Sequence, residues 1–295
     1  MRKGIEMKTG LVLEGGAMRG MYTAGVLDIM MENHITVDGA IGVSAGAVFG
    51  CNYKSKQIGR SIRYNLKYSK DPRYHSMKSL IKTGDLYGAE FCYKELPEKL
   101  DIFDIQTYQK NPMEFYVVTT DVNTGKPIYH LCPNGDSVDV QWYRASASLP
   151  LVSRIVEIDG IQMLDGGISD AIPIHKFREM GYKKNLVILT QHDGYRKEKS
   201  SALPLIKLKM GKKYPNLVHD MEVRHEMYNK TLEDLKKLEA DKEVYIIRPQ
   251  EPVEIGRTEK NPKKLEALYE TGRKEGIQHL DNIKRFLNKN RKQGE

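Results

Sequence analysis

The sequence predicts an α/β fold: a mainly parallel central sheet with a helical C-terminal part. Three observations predict it. The first fifty or so residues alternate strand, helix, strand, helix, the order in which a parallel sheet is laid down. The run "NLVILTQ", residues 185–191, is continuously apolar, as a strand buried on both faces must be. After about residue 200 the chain is dominated by long polar segments of helical character.

The elements follow in order. "TGLVLEGG", residues 9–16, reads as a short buried strand ending in glycines. "RGMYTAGVLDIMMENHI" carries Met21, Ala24, Val26, Leu27, Met30 and Met31 at helical spacing. "VDGAIGVS" is a second strand, and "AGAVFGCNY" opens a second helix. Residues 61–88 are basic, aromatic and only weakly periodic. "EFYVVTTDVNTGKPIYHL" has two β-rich arms around residues 123–125 and predicts a hairpin. "VDVQWYRASASLPLVS" predicts a helix ending before Pro150, and "IVEIDGIQMLDGG" a second hairpin turning at Asp159 and Gly160. A helix over about 173–180 can stop at Gly181. The buried strand follows, then a helix over about 215–240, a strand "EVYIIRP" and a closing helix over about 262–288. With no internal repeat and no low-complexity linker, a single domain over 1–295 is expected.

Composition narrows the function classes. No apolar run of the 295-residue chain approaches the ~20 residues of a membrane-spanning helix. The charged start, "MRKGIEMKTG", is followed by no apolar stretch, so no secretory leader is expected. Cys51, Cys92 and Cys132 are odd in number and unrelated in spacing, which argues against a disulfide framework and for a reducing, cytoplasmic setting. There is no CxxC, no paired-histidine motif and no D-x-D-x-D-G loop, so neither a metal nor another cofactor is expected. The net charge of +8 favours anionic partners. No nucleic-acid-binding module is recognisable, and nucleic acid is not an expected partner.

Three glycine-rich corners carry the chemistry. The first, "GVSAG", holds Ser44 between an apolar strand and a helix of small residues, the context of a nucleophile elbow. Read alone, it is equally a tight packing corner with a passive serine. The second, "EGGAMRG", leaves backbone N–H groups free to face an anion. Its rival reading is a dinucleotide loop, with Gly15, Ala17 and Gly20 as a degenerate glycine pattern and Asp38 as the ribose acid. The third, "MLDGGISDAIP", ends a strand on Asp165, either a general base or a plain Asp-Gly turn.

Taken together and in this order, "EGGAMRG", "GVSAG", "ASASLP" and "DGG" resemble the patatin-like phospholipases, over about residues 9–173. The resemblance implies a patatin-type three-layer α/β/α sandwich and a Ser–Asp dyad without a catalytic histidine. Carried over by position, it makes Ser44 the nucleophile, Asp165 its base, and Gly15, Gly16 and Ala17, with Met18 and Arg19 beside them, the oxyanion loop. Two residues depart from the pattern: Ala17 replaces a usual glycine, and Asp170 stands where asparagine is frequent. The second departure places another carboxylate near the base.

The reaction so implied is cleavage of a carboxylic ester of a lipid or phospholipid through an acyl-serine. One rival is an α/β-hydrolase triad that uses His175, His192, His219, His225 or His279; the other is a non-catalytic nucleotide- or lipid-binding module. Residues 54–82 carry nine lysines and arginines against the single acid Asp71, with Tyr64, Tyr68 and Tyr74 interleaved. They read either as a transient docking surface for anionic lipid, which would place the protein peripherally at a membrane, or as a solvated helical face.

Overall fold

The computed structural model describes residues 7–288; the charged start from which the leader expectation was drawn lies mostly outside them. The chain opens with strand β1 (Lys8–Leu13), helix α1 (Gly20–Glu32), strand β2 (Gly39–Val43) and helix α2 (Ala45–Lys54). Helices α3 (Arg60–Tyr68) and α4 (Met77–Thr83), a wide helical turn over Phe91–Leu100, and α5 (Ile105–Lys110) follow. The expected hairpins are β3 (Glu114–Asp121) with β4 (Pro127–Leu131), and β5 (Val156–Ile158) with β6 (Ile161–Asp165). Between them lies α6 (Ser137–Ser146). The second hairpin turns at Asp159 and Gly160, with φ of 52° and 77°, the two positive values a tight two-residue hairpin turn needs. The rest of the chain is α7 (Ile174–Glu179), β7 (Tyr182–Ile188), α8 (Leu203–Met210), α9 (Pro215–Ala240), β8 (Val244–Ile247) and α10 (Pro262–Asn288).

The strands form one sheet in the order β5-β6-β3-β2-β1-β7-β8, with β4 also paired to β3. From β3 to β8 the pairing is parallel; β4, β5 and β6 make an antiparallel margin. The central strands are buried on both faces, which is why they are apolar without alternation. One face packs under α1, α2, α6 and α10 through Leu11, Leu13, Met21, Phe115 and Leu186. The other packs under α7 and α9 through Val12, Ile41, Val187, Phe177 and Leu235. The result is a three-layer sandwich.

The C-terminal helix is built into the main core. Helix α10 crosses α1 so closely that a side-chain carbon on Gly272 would lie 2.1 Å from the Tyr22 carbonyl oxygen. The Tyr22 hydroxyl donates to Glu275 (2.8 Å) and the Tyr269 hydroxyl to Asp28 (2.6 Å), so these four buried groups are paired.

Two sequence readings change here. Asp38 accepts from the Thr9 N–H (2.6 Å) and hydroxyl (2.7 Å) and so ties the starts of β1 and β2 together. A ribose acid would stand at the far, C-terminal end of the strands, so the dinucleotide reading of Asp38 fails. The basic stretch is also only in part an open cationic face: Lys56, Arg63, Lys67, Lys70, Arg73, Lys78 and Lys82 are exposed, whereas Lys54 and Arg60 are not. Lys54 is buried, donates to the Met113 carbonyl and lies 4.7 Å from the Tyr108 ring centre. Arg60 is buried, and its guanidinium meets Asn52, the Asp101 carbonyl and the Asp101 carboxylate. Arg63 binds both Asp101 oxygens, and Tyr53, Tyr64, Tyr68 and Tyr74 are core residues. Neither Lys54, Arg60 nor these tyrosines are available to a lipid surface.

Candidate active site

The site gathers at the C-terminal ends of β1, β2 and β7, where ligands bind in open α/β sheets. Ser44 is the single residue between β2 and α2. Its φ of 55° and ψ of −121° lie outside the ordinary regions for a residue with a side chain. Contacts on both sides hold it there. The Ser44 N–H donates to Ser146 Oγ (2.8 Å), whose own hydroxyl donates to the Val118 carbonyl (2.6 Å). The Ser44 carbonyl accepts from Ala47 and Val48 and starts α2. The side chain is thus held out of the strand at the end of a helix whose dipole favours negative charge.

The glycine loop after β1 lies against this corner. A side-chain carbon on Gly15 would come 2.8 Å from Ser44 Cβ, so only glycine lets the two corners meet. Among the described residues, the backbone N–H groups of Gly15, Gly16, Ala17 and Met18 make no hydrogen bond, whereas that of Arg19 donates to Gly16 (3.2 Å). Ala17 adopts φ 50°, the left-handed conformation a glycine would take at less cost. The loop is anchored from below by Glu14, a buried carboxylate. Glu14 accepts from the Thr190 N–H (2.6 Å), the Thr190 hydroxyl (3.1 Å) and the Tyr228 hydroxyl (2.6 Å).

Asp165 ends β6 and is 2% exposed. Its N–H donates to the Ser148 carbonyl (2.7 Å), and its Oδ1 accepts from the Gly167 N–H (2.7 Å). The "ASAS" segment therefore holds both corners, Ser146 on the serine and Ser148 on the aspartate. Burial pushes the Asp165 carboxyl above the usual carboxylate range; the Arg224 guanidinium, a hydrogen bond from Ser44 and the Gly167 N–H oppose that shift. Asp170 is engaged elsewhere. Its carboxylate accepts from the Tyr129 hydroxyl (2.8 Å) and faces a separate cleft.

Two cavities meet at Ser44. An apolar one of about 380 Å³ runs between Met18, Phe49, Tyr93, Leu96 and Ile206. A polar one of about 40 Å³ holds Ser44, Asp165 and the glycine loop. Among the described residues, no histidine lines either cavity. His175 is on the surface against Asp234 (3.3 Å), His279 is bonded to Tyr245 (2.6 Å), and His192 lines a different cleft.

Ligand atoms of His130, Cys132 and Asp139 lie within 4.8 Å of one another, and none of the three lines either cavity. Buried Lys54 carries its positive charge beside Cys132 and Asp139, which opposes a cation there. Two contributors gave no sequence signal: Arg224 and Tyr228, one helical turn apart on the far helix α9.

One end of an α/β sheet thus holds a serine corner, a facing amide loop and a buried aspartate. The chain belongs to the family described as Patatin-like phospholipase, whose model matches residues 11–178. A second family model, described as a domain of unknown function (DUF6363), matches residues 214–288. The chain is similar to the uncharacterized protein YjjU of Escherichia coli, at 32% identity over 62% of this chain and 52% of that protein. It is also similar to an uncharacterized NTE family protein of Mycobacterium tuberculosis, at 26% identity over 57% of this chain and 44% of the relative. A lysophospholipase nte1 of Aspergillus fumigatus matches at 27% identity over 58% of this chain and 11% of its own length. The chain spans about half the length of the first of these relatives.

Proposed function

We propose that the protein is a serine acyl hydrolase that cleaves carboxylic esters of lipids with Ser44 and Asp165 through an acyl-serine intermediate. The observation that carries this reading is the strained Ser44 corner beside a buried aspartate, in cavities that no histidine lines among the described residues. Asp165 takes the Ser44 proton as Oγ bonds the ester carbonyl carbon. The carbonyl oxygen becomes an oxyanion facing the free amides of the glycine loop, where losing one donor costs about 2.7–4 kcal/mol. The tetrahedral species collapses, and the departing alkoxide takes the proton from Asp165. Water then gives a proton to Asp165 and attacks the acyl-serine; the fatty acid leaves and the hydroxyl re-forms. The raised carboxyl pKa brings the base closer to its task.

The described residues act as one domain, since α9 reaches the site and α10 packs on α1. Peripheral contact with anionic lipid, in a cytoplasmic setting, is retained as part of the proposal. It falls to exposed Met77 and Ile81 with Lys78 and Lys82 on α4 rather than to buried Lys54 and Arg60. No helix among the described residues is long and apolar enough to cross a membrane. Vesicle co-sedimentation checks the contact; a parent protein that ignores anionic vesicles refutes it.

Partitioning tests the acyl-serine. Esters of one acyl chain with different leaving groups are hydrolysed in dilute methanol. A shared intermediate gives one ratio of methyl ester to fatty acid for all of them; a ratio that follows the leaving group contradicts it.

Tyr228→Phe is expected to lower kcat about tenfold and to change KM less than twofold. It removes the hydroxyl that holds Glu14 and hence the glycine loop, and a bond to a buried charge contributes about 1.5–3 kcal/mol. A rise in KM with unchanged kcat would instead place Tyr228 in substrate binding.

A further inference from the structure

The polar cavity beside Ser44 is enclosed by Arg19, Lys197, Arg224 and Arg257, against the carboxylates Glu14 and Asp165. Glu14 is already occupied by three donors, and Asp165 is the proposed base. Several arginines elsewhere are paired with carboxylates: Arg63 with Asp101, Arg73 with Asp71, Arg178 with Glu243 and Arg273 with Glu32. Among the described residues none of the four cavity cations sits in such a pair. The Arg19 Nε is buried without any hydrogen-bond partner. Arg224 Nε donates to the Gly167 carbonyl, which leaves its guanidinium beside the base. Lys197 Nζ lies 4.2 Å from the Tyr228 ring centre. Burial and then the repulsion of Arg224, Arg257 and Arg19 push the Lys197 amine down to about 7, although Glu14 acts the other way.

Like charges drawn together at a partly buried site cost free energy that a bound anion offsets. The shape is specific as well. About 40 Å³ admits a small group and not an acyl chain, whereas the adjoining apolar cavity of about 380 Å³ is at the low end for ligand pockets and suits one chain. Arg224 and Arg257 line both cavities and stand at their junction. Guanidinium forks converging from different elements match the oxygens of a phosphate.

We propose that Arg19, Lys197, Arg224 and Arg257 form a subsite for the phosphate of a singly acylated, phosphate-bearing ester, and that the segment matched by the family of unknown function serves the active site by supplying Arg224 and Arg257. The substrate part of this inference rests on the hydrolase reading above; the binding part does not. The acyl chain occupies the apolar cavity, the ester lies at Ser44 and the phosphate lies among the cations.

Titration calorimetry on full-length Ser44→Ala protein tests binding without turnover. The ligands are a short-chain monoacylglycerol phosphate, the monoacylglycerol with the same chain, and inorganic phosphate. The phosphate-bearing lipid is expected to bind at least about tenfold tighter than the neutral one. Adding Lys197→Gln and Arg257→Gln together is expected to remove most of that advantage, with circular dichroism confirming the fold. Equal affinities, or an advantage that survives both substitutions, overturn the proposal. Inorganic phosphate that binds as tightly as the lipid also overturns it, because the site then belongs to a free anion. Turnover of both esters by the parent separates the two ideas. Charge-dependent binding without hydrolysis supports the subsite and refutes the hydrolase; hydrolysis without any preference in binding refutes the subsite and leaves the hydrolase standing.

Discussion

Ser44→Ala is expected to lower kcat by about 10⁴-fold or more, the scale on which a serine nucleophile is lost. The protein stays folded. The bond that fixes the corner comes from the Ser44 backbone N–H to Ser146, and alanine keeps it. Alanine also pays a similar conformational cost at φ 55°, and this chain already carries one at Ala17 with φ 50°. The loss therefore falls on chemistry and not on stability. Hydrolysis of a soluble acyl ester, measured with the thermal midpoint, checks this. Unchanged turnover would remove Ser44 from the mechanism, and a collapse of the midpoint would make the corner structural.

Asp165→Asn is expected to lower kcat by about 10³-fold or more with little change in KM, since Glu14, the other carboxylate lining the polar cavity, is already engaged by Thr190 and Tyr228. Asparagine is nearly the same shape and can still accept from the Gly167 N–H at Oδ1. The effect on stability has the opposite sign. Burial raises the Asp165 carboxyl pKa in the folded chain, outweighing Arg224 and Ser44. The folded state therefore holds that proton more tightly than the unfolded state, whose value is about 3.9. The stabilisation so gained is complete below that unfolded value and is lost as pH rises through the folded one. At neutral pH the ionised group opposes folding, so Asp165→Asn should melt at the same temperature as the parent or higher. The same shift makes parental kcat/KM fall with acid at a pH above the ordinary carboxylate range. Asp170→Asn, held by Tyr129 in another cleft, should cost no more than about threefold. Equal losses for the two variants would mean that the carboxylates share the role.

The three corners were legible because their geometry leaves local marks. A serine that must stand out of a strand needs small neighbours, and a loop of free amides needs glycine, so both wrote themselves into consecutive residues. The long helices α9 and α10 were legible as polar helical segments opened by Pro215 and Pro262. Tyr228 and Arg224 were not, because they act on partners at Glu14, Gly167 and Asp165 that are remote in the chain. Ser146 and Ser148 were visible as a motif, but their role in bracing the two corners depends on a β3–β6 neighbourhood that no local pattern encodes. Part of the basic stretch is internal or paired for a related reason. Counting only its own residues found one acid, Asp71, whereas Arg60 and Arg63 are met by Asp101, about forty positions on. Lys54 places its ammonium over the Tyr108 ring and on the Met113 carbonyl, so Lys54 and Arg60 became internal while the other cations of the stretch stayed exposed.

The measurement that tests the central claim most directly is labelling of the parent protein with a fluorophosphonate, followed by peptide mass mapping. The serine oxygen displaces fluoride from phosphorus, so the probe reports which hydroxyl is activated. The expected result is one phosphonyl adduct on the peptide carrying Ser44, absent in Ser44→Ala and much slower to form in Asp165→Asn. No adduct, or an adduct on Ser146 or Ser148 that persists in Ser44→Ala, would contradict a nucleophile at the β2–α2 corner.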